Sequence, residues 1–122
     1  MTLAFTNARI FTGTETIEGK TLIVRDNRID SITDPSHIPS GCEIIECGGD
    51  YLTAGFIDLQ IAGGGGYLFS AEPTPEALEA ITGAIVRTGT TGFLIAIPTN
   101  SNEVYRQVIK TAGENPNPAL LG

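Results

Sequence analysis

The sequence predicts an α/β chain in two parts, a strand-rich segment over residues 1–53 and alternating strands and helices over 54–122. Three observations predict it. Beta-branched runs separated by turn residues fill the first part. Two continuous apolar runs, Phe56–Ile61 and Gly92–Ile97, follow, each succeeded by a stretch of helical periodicity. Four consecutive glycines, Gly63–Gly66, stand just past the end of the first run. A strand apolar on both faces reads as a buried parallel strand, and glycines beyond its carboxyl end let the backbone turn sharply beside a ligand. Open α/β sheets and barrels place their sites there.

Taken in order, Leu3-Ala4-Phe5 and Ala8-Arg9-Ile10-Phe11 are the first expected strands, ended by Thr12-Gly13. Thr21–Val24 and Arg28–Ile32 flank Asp26-Asn27, a pair suited to a tight hairpin turn. A loop with Pro35 and Pro39 leads to a strand over Glu43–Cys47. The spacing predicts a small antiparallel sheet.

The pattern changes after Gly48-Gly49-Asp50. Thr74-Pro75-Glu76 opens a helix, with Thr as N-cap, Pro at the first helical position and an acidic first turn. Leu78, Ile81, Ala84 and Ile85 form its apolar face, and Gly89 is its expected stop. Asn100 is the expected cap of a second helix, with Glu103 in the reciprocal capping position. Val104, Val108 and Ile109 would supply its buried face, and Gly113 its end. Asn115-Pro116-Asn117-Pro118 is a turn, and Ala119–Gly122 begins a third strand. The order strand–helix–strand–helix–strand calls for parallel strands and right-handed crossovers.

Bulk properties exclude several classes. A formal net charge of −7 argues against nucleic acid or an anionic membrane as partner. Cys42 and Cys47, with one histidine, His37, complete no metal-ligand set and no redox CxxC. They read as reduced small side chains. The amino terminus has no signal-peptide pattern, and no apolar run reaches membrane-spanning length, so a soluble, cytoplasmic protein is expected. The glycine run is not followed by Lys-Ser/Thr and lacks Gly-x-Gly-x-x-Gly spacing, so it is neither a Walker loop nor a dinucleotide fingerprint.

The stretch Gly55–Phe69, the opening Ala8–Gly13, the strand end Ile97-Pro98-Thr99 and the closing Asn115–Gly122 resemble the N-terminal part of N-acetylglucosamine-6-phosphate deacetylases, in the amidohydrolase superfamily. The resemblance implies a small β-sandwich, with residues 1–53 as its first portion. It further implies a metal-dependent (β/α)8 barrel, of which residues 54–122 supply two βα units and the start of the third strand. It implies hydrolysis of the N-acetyl group of an amino-sugar phosphate, N-acetylglucosamine 6-phosphate, to glucosamine 6-phosphate and acetate. One divalent metal, such as zinc, would activate water in the full-length protein, which would be a homo-oligomer.

Most amidohydrolases carry His-x-His on the first barrel strand. Here those positions fall on Gln60 and Ala62. An amide and a methyl do not replace two imidazoles, which fits a deacetylase subgroup that has Gln at the first position and one metal elsewhere. The family's metal-binding Glu and His residues and its catalytic Asp lie past Gly122 in the pattern. The resemblance therefore implies an inactive N-terminal fragment with no catalytic residue and no metal ligand of its own.

The near-site residues are Gln60, Ala62, Gly63, Gly64 and Thr99. Gln60 is either a neighbour of the substrate or an inward barrel residue satisfied by backbone. Asp58 reads as structural. Gly63–Gly66 read as a substrate-lining turn, while Thr99 more simply begins the turn that caps the second helix. The competing class is a stand-alone binding or interaction module that does no chemistry.

Overall fold

The computed structural model describes residues 1–122, which divide into two compact units, Met1–Ala54 and Gly55–Gly122. In the first unit, β1 (Thr2–Thr6) lies between two neighbours of opposite sense. It pairs antiparallel with β4 (Thr21–Arg25) and parallel with β6 (Glu43–Glu46), while β5 (Arg28–Thr33) extends the sheet beyond β4. A second sheet joins β2 (Arg9–Phe11) antiparallel to β3 (Thr16–Ile17) and parallel to β7 (Tyr51–Leu52).

The expected single antiparallel sheet is therefore corrected to two mixed sheets. In the first, the antiparallel run β5–β4–β1 gains the parallel strand β6, and in the second, the local hairpin β2–β3 gains the parallel strand β7, each from much later in the chain. The β4–β5 turn is as expected: Asp26 and Asn27 both have positive φ, 49° and 62°, as a two-residue type I′ turn requires. Ala8, Ile10 and Leu22 form a small core in this unit, and Ile23 and Ala4 are closed to solvent on the first sheet.

Polar side chains tie the chain ends of these strands. The Glu46 carboxylate accepts from Asn7 Nδ2 at 2.6 Å, from the Gly48 N–H at 3.0 Å and from Thr6 Oγ1 at 3.1 Å. These hydrogen bonds, Asn7 first, hold its pKa below the ordinary value. At the start of β4, Thr21 is wholly buried and its hydroxyl has no partner.

In the second unit, β8 (Phe56–Ile61) pairs parallel with β11 (Thr90–Ile95), and the chain at Leu120 pairs parallel with Phe93. Between them, β9 (Gly63–Gly64) and β10 (Tyr67–Leu68) form a hairpin, and α1 (Pro75–Val86) follows it. Helix α2 (Asn102–Glu114) then connects β11 to the last segment.

Helix α1 begins as its sequence dictates, with Thr74 accepting from the Ala77 N–H. It ends at Val86, before Gly89. Helix α2 corrects two expectations. Its cap is Ser101, whose Oγ accepts from the Val104 N–H, while Asn100 Oδ1 accepts from the Ser101 N–H one residue outside. Glu103 consequently sits in the first turn without the reciprocal capping position. The helix also passes through Gly113 to Glu114, since Asn115 Nδ2 donates to the Thr111 carbonyl and closes the last turn.

The core of this unit is Ile61, Phe69, Ala77, Leu78, Ile81, Phe93, Val108 and Ala119. The stripe on α2 is Val104, Val108 and Thr111, at helical spacing; Ile109, expected inside, is 71% exposed because it lies a quarter-turn from Val108. The parallel sense of β8 holds, but its burial does not. Phe56, Ile57 and Leu59 are 68%, 62% and 70% exposed, because side chains project from the faces of a strand and none of these three joins the core cluster.

Candidate functional site

Parallel pairing sets the carboxyl ends of β8 and β11 side by side. Ile61 pairs with Ile95, and the Ala96 N–H donates to the Ile61 carbonyl at 2.7 Å, carrying the contact one residue past β11. The segments leaving these ends hold the polar and glycine residues of interest.

Gln60 is the penultimate residue of β8 and is exposed. Its backbone N–H donates to Asp58 Oδ1 at 2.9 Å. Ala62 follows β8, and its carbonyl accepts from the Phe69 N–H at 3.0 Å, which closes the base of the hairpin. Phe69 itself is fully buried in the core.

The glycines are a rigid hairpin clamped to α1. Gly65 and Gly66 have φ of 60° and 91°, so they form the two-residue turn that few other residues allow. A Cβ on Gly63 would overlap the Tyr67 carbonyl, and one on Gly65 would come 2.6 Å from the Ala80 carbonyl of α1. The run is thus demanded by close backbone approach, and its position beside the end of β8 is set by helix packing. Gly66 alone faces open space.

Thr99 lies exposed in the segment between β11 and α2, two residues before the capping Ser101, so the cap does not involve it. The structure thus places Gln60, Ala62, Gly63 and Gly64 along one exit and Thr99 on the neighbouring one. Sequence reasoning missed the link from Asp58 to Gln60. The signal was there, since an Asp can bond the backbone N–H two residues on.

The described residues do not assemble a metal centre. No three His, Cys, Asp or Glu side chains come together, and the alternate positions at the end of β8 offer an amide and a methyl. A resident metal therefore does not fit these residues alone. No helix is long and apolar enough to cross a membrane.

Comparison with known proteins gives a consistent result. A family model described as the NagA composite domain matches residues 3–52. An N-acetylglucosamine-6-phosphate deacetylase of Haemophilus influenzae is 30% identical over 117 residues, covering 96% of this chain and 31% of that protein. The human enzyme of the same name is 35% identical over 114 residues, covering 88% of this chain and 27% of its own length. The crystal structure of the Pasteurella multocida N-acetylglucosamine-6-phosphate deacetylase superposes with a TM-score of 0.90 at 33% identity, over 94% of this chain and 30% of that one. The chain thus spans about a third of the length of the relatives it matches.

Proposed function

Since this chain is related to the N-terminal third of N-acetylglucosamine-6-phosphate deacetylases, we propose that it is the corresponding part of a hydrolase acting on an amino-sugar phosphate. The full-length protein would release acetate from N-acetylglucosamine 6-phosphate and leave glucosamine 6-phosphate. The observation that carries this reading is the superposition on the Pasteurella enzyme with a TM-score of 0.90 over 94% of the chain.

In this reading the Met1–Ala54 unit is the first portion of a β-sandwich. The Gly55–Gly122 unit is the first two βα units and the opening of the third strand of a (β/α)8 barrel. Its parallel strands β8 and β11, with α1 and α2 as crossovers, have the arrangement such a barrel repeats. The exposed apolar side chains of β8 are the positions a further strand and core would cover. Cytoplasmic location and a homo-oligomeric state belong to the same proposal.

What these residues contribute is shape. The clamped hairpin forms a fixed wall beside the end of β8, Gln60 presents a neutral amide next to it, and Ala62 and Thr99 line the same mouth. Gln60 can donate and accept without carrying charge, which suits contact with the amide or hydroxyl groups of an acetamido sugar. In this reading the metal and the chemical step belong to residues of the full-length protein beyond these 122.

Acetate release from N-acetylglucosamine 6-phosphate tests the proposal. The full-length product of the gene should release acetate, and residues 1–122 alone should not. Full-length protein without that activity would overturn it. The absence of any three-residue cluster of metal-binding type keeps one alternative, a non-catalytic binding module. That alternative requires the 122-residue chain to unfold as a soluble monomer in one cooperative transition.

A further inference from the structure

The pairing of β8 with β11 shifts register twice, once near its start between Thr90 and Gly92 of β11, and once at its carboxyl end, where the candidate site lies. Asp58 pairs with Phe93, and the next registered pair is Ile61 with Ile95. Three steps along β8 thus match two along β11, so an extra residue is accommodated at Leu59–Gln60. Such a bulge leaves one strand residue without a ladder partner and turns the side chains beyond it. A freed backbone N–H must find another acceptor. In this chain that acceptor is the carboxylate of Asp58, 2.9 Å from the Gln60 nitrogen.

The bulge has a second effect. In a regular strand Ile61 would share a face with Ile57 and Leu59, which are 62% and 70% exposed, yet Ile61 is 8% exposed and belongs to the core. The extra residue therefore lets Ile61 turn inward while Gln60 stays at the surface of the strand end. Bulges of this kind recur beside active sites, where they redirect a side chain.

We propose that Asp58 is a positioning residue for Gln60: its carboxylate holds the Leu59–Gln60 bulge through the Gln60 N–H and so sets where the Gln60 amide stands. The inference rests on the deacetylase reading for its functional consequence, but its structural half does not. Asp58 touches no substrate in this scheme. Its role is that of an acceptor, and a neutral acceptor of the same shape should serve.

The test uses the full-length protein and four variants, D58N, D58A, Q60A and D58A/Q60A, with acetate release from N-acetylglucosamine 6-phosphate and the crystal structure of D58A as readouts. The amide introduced by D58N retains an Oδ1 for the Gln60 N–H, so this variant should keep kcat/KM within about threefold of the parent. D58A and Q60A should each lose about tenfold or more, and the double variant should lose no more than the worse single one, because both remove one function. In the D58A crystal structure the register between Asp58–Ile61 and Phe93–Ile95 should become regular or shift.

A D58N loss as deep as that of D58A overturns the proposal, since charge and not acceptance would then matter. Multiplicative losses in the double variant also overturn it. Should Q60A be fully active, the reading of Gln60 as near the substrate fails on its own. The D58A structure then decides the remainder: a lost bulge upholds Asp58 as its support, and an intact one removes it.

Discussion

Asn117 donates from Nδ2 to Thr82 Oγ1 at 2.7 Å, joining the turn before the last segment to the middle of α1 across 35 residues of chain. The same Asn117 accepts the Ala119 N–H through Oδ1, and Thr82 donates its own proton to the Leu78 carbonyl. One amide thereby sets the start of the last segment, which bridges to Phe93 at Leu120, and anchors it to the first helix. The turn was foreseeable from its two prolines; this contact was not.

Asn117→Ala should destabilise the protein by about 1–2 kcal/mol, because Thr82 loses a partner in a half-buried position. Thr82→Val should cost less in that background than it does alone. A double-mutant cycle read by urea unfolding gives the coupling, and strict additivity would show that the two side chains do not act together.

The glycine run makes a graded prediction. Gly65→Ala meets both a positive φ of 60° and the Ala80 carbonyl at 2.6 Å, so a loss of about 2 kcal/mol or more is expected. Gly66→Ala meets strain alone, its φ being 91° with open space around it, and should cost about 1 kcal/mol. Gly113→Ala, in the last turn of α2 with nothing within 4 Å, should stabilise by up to about 1 kcal/mol. Thermal melts of the three variants order them; Gly65→Ala milder than Gly66→Ala would contradict the clamped hairpin.

The orphan hydroxyl of Thr21 gives the clearest stabilising change. Thr21 is wholly buried and its Oγ1 is unpartnered, so an isosteric apolar side chain removes a desolvation cost and loses no bond. Thr21→Val should raise stability by about 1 kcal/mol, whereas Thr21→Ser, which keeps the hydroxyl and drops a methyl, should lower it. Equal melting temperatures for the two variants would mean that the hydroxyl is satisfied in solution.

Glu46 predicts a pH dependence. Its folded pKa lies below the ordinary 4.5, chiefly through Asn7 and then the Gly48 N–H. A depressed carboxylate stabilises the fold above its unfolded value, and that contribution is lost as pH falls through the folded one. Melting temperature should therefore decline below about pH 4.5 more steeply in the parent than in Glu46→Gln. Parallel acid limbs in the two proteins would remove Glu46 from the account.

Local signals in the sequence found what local interactions build. Thr74-Pro75 starts α1 because the cap and the fixed proline φ act within one turn. Asp26-Asn27 turns β4 into β5 because both residues tolerate positive φ. The cap of α2 was misplaced by one residue because Asn100 and Ser101 are both capping types, and only geometry shows that Asn100 serves Ser101. The two-residue strands β3 and β7 are too short to carry an alternation pattern, and exist through their partner β2. At the candidate site, the glycine run was legible as a turn. The bulge at Leu59–Gln60 was not, since register belongs to a pair of strands and not to either one.

The parallel neighbours of β1 and β2 have a consequence for how the protein is made. Thr6 waits for Glu46, and Arg9 waits for Tyr51, before either sheet has its last strand. At elongation speeds of about 5–20 residues per second, that wait lasts roughly 2–8 seconds of translation. During it the nascent chain displays two half-finished sheet edges, one along β1 and one along β2, and each stays open to pairing with another chain until its own late strand arrives.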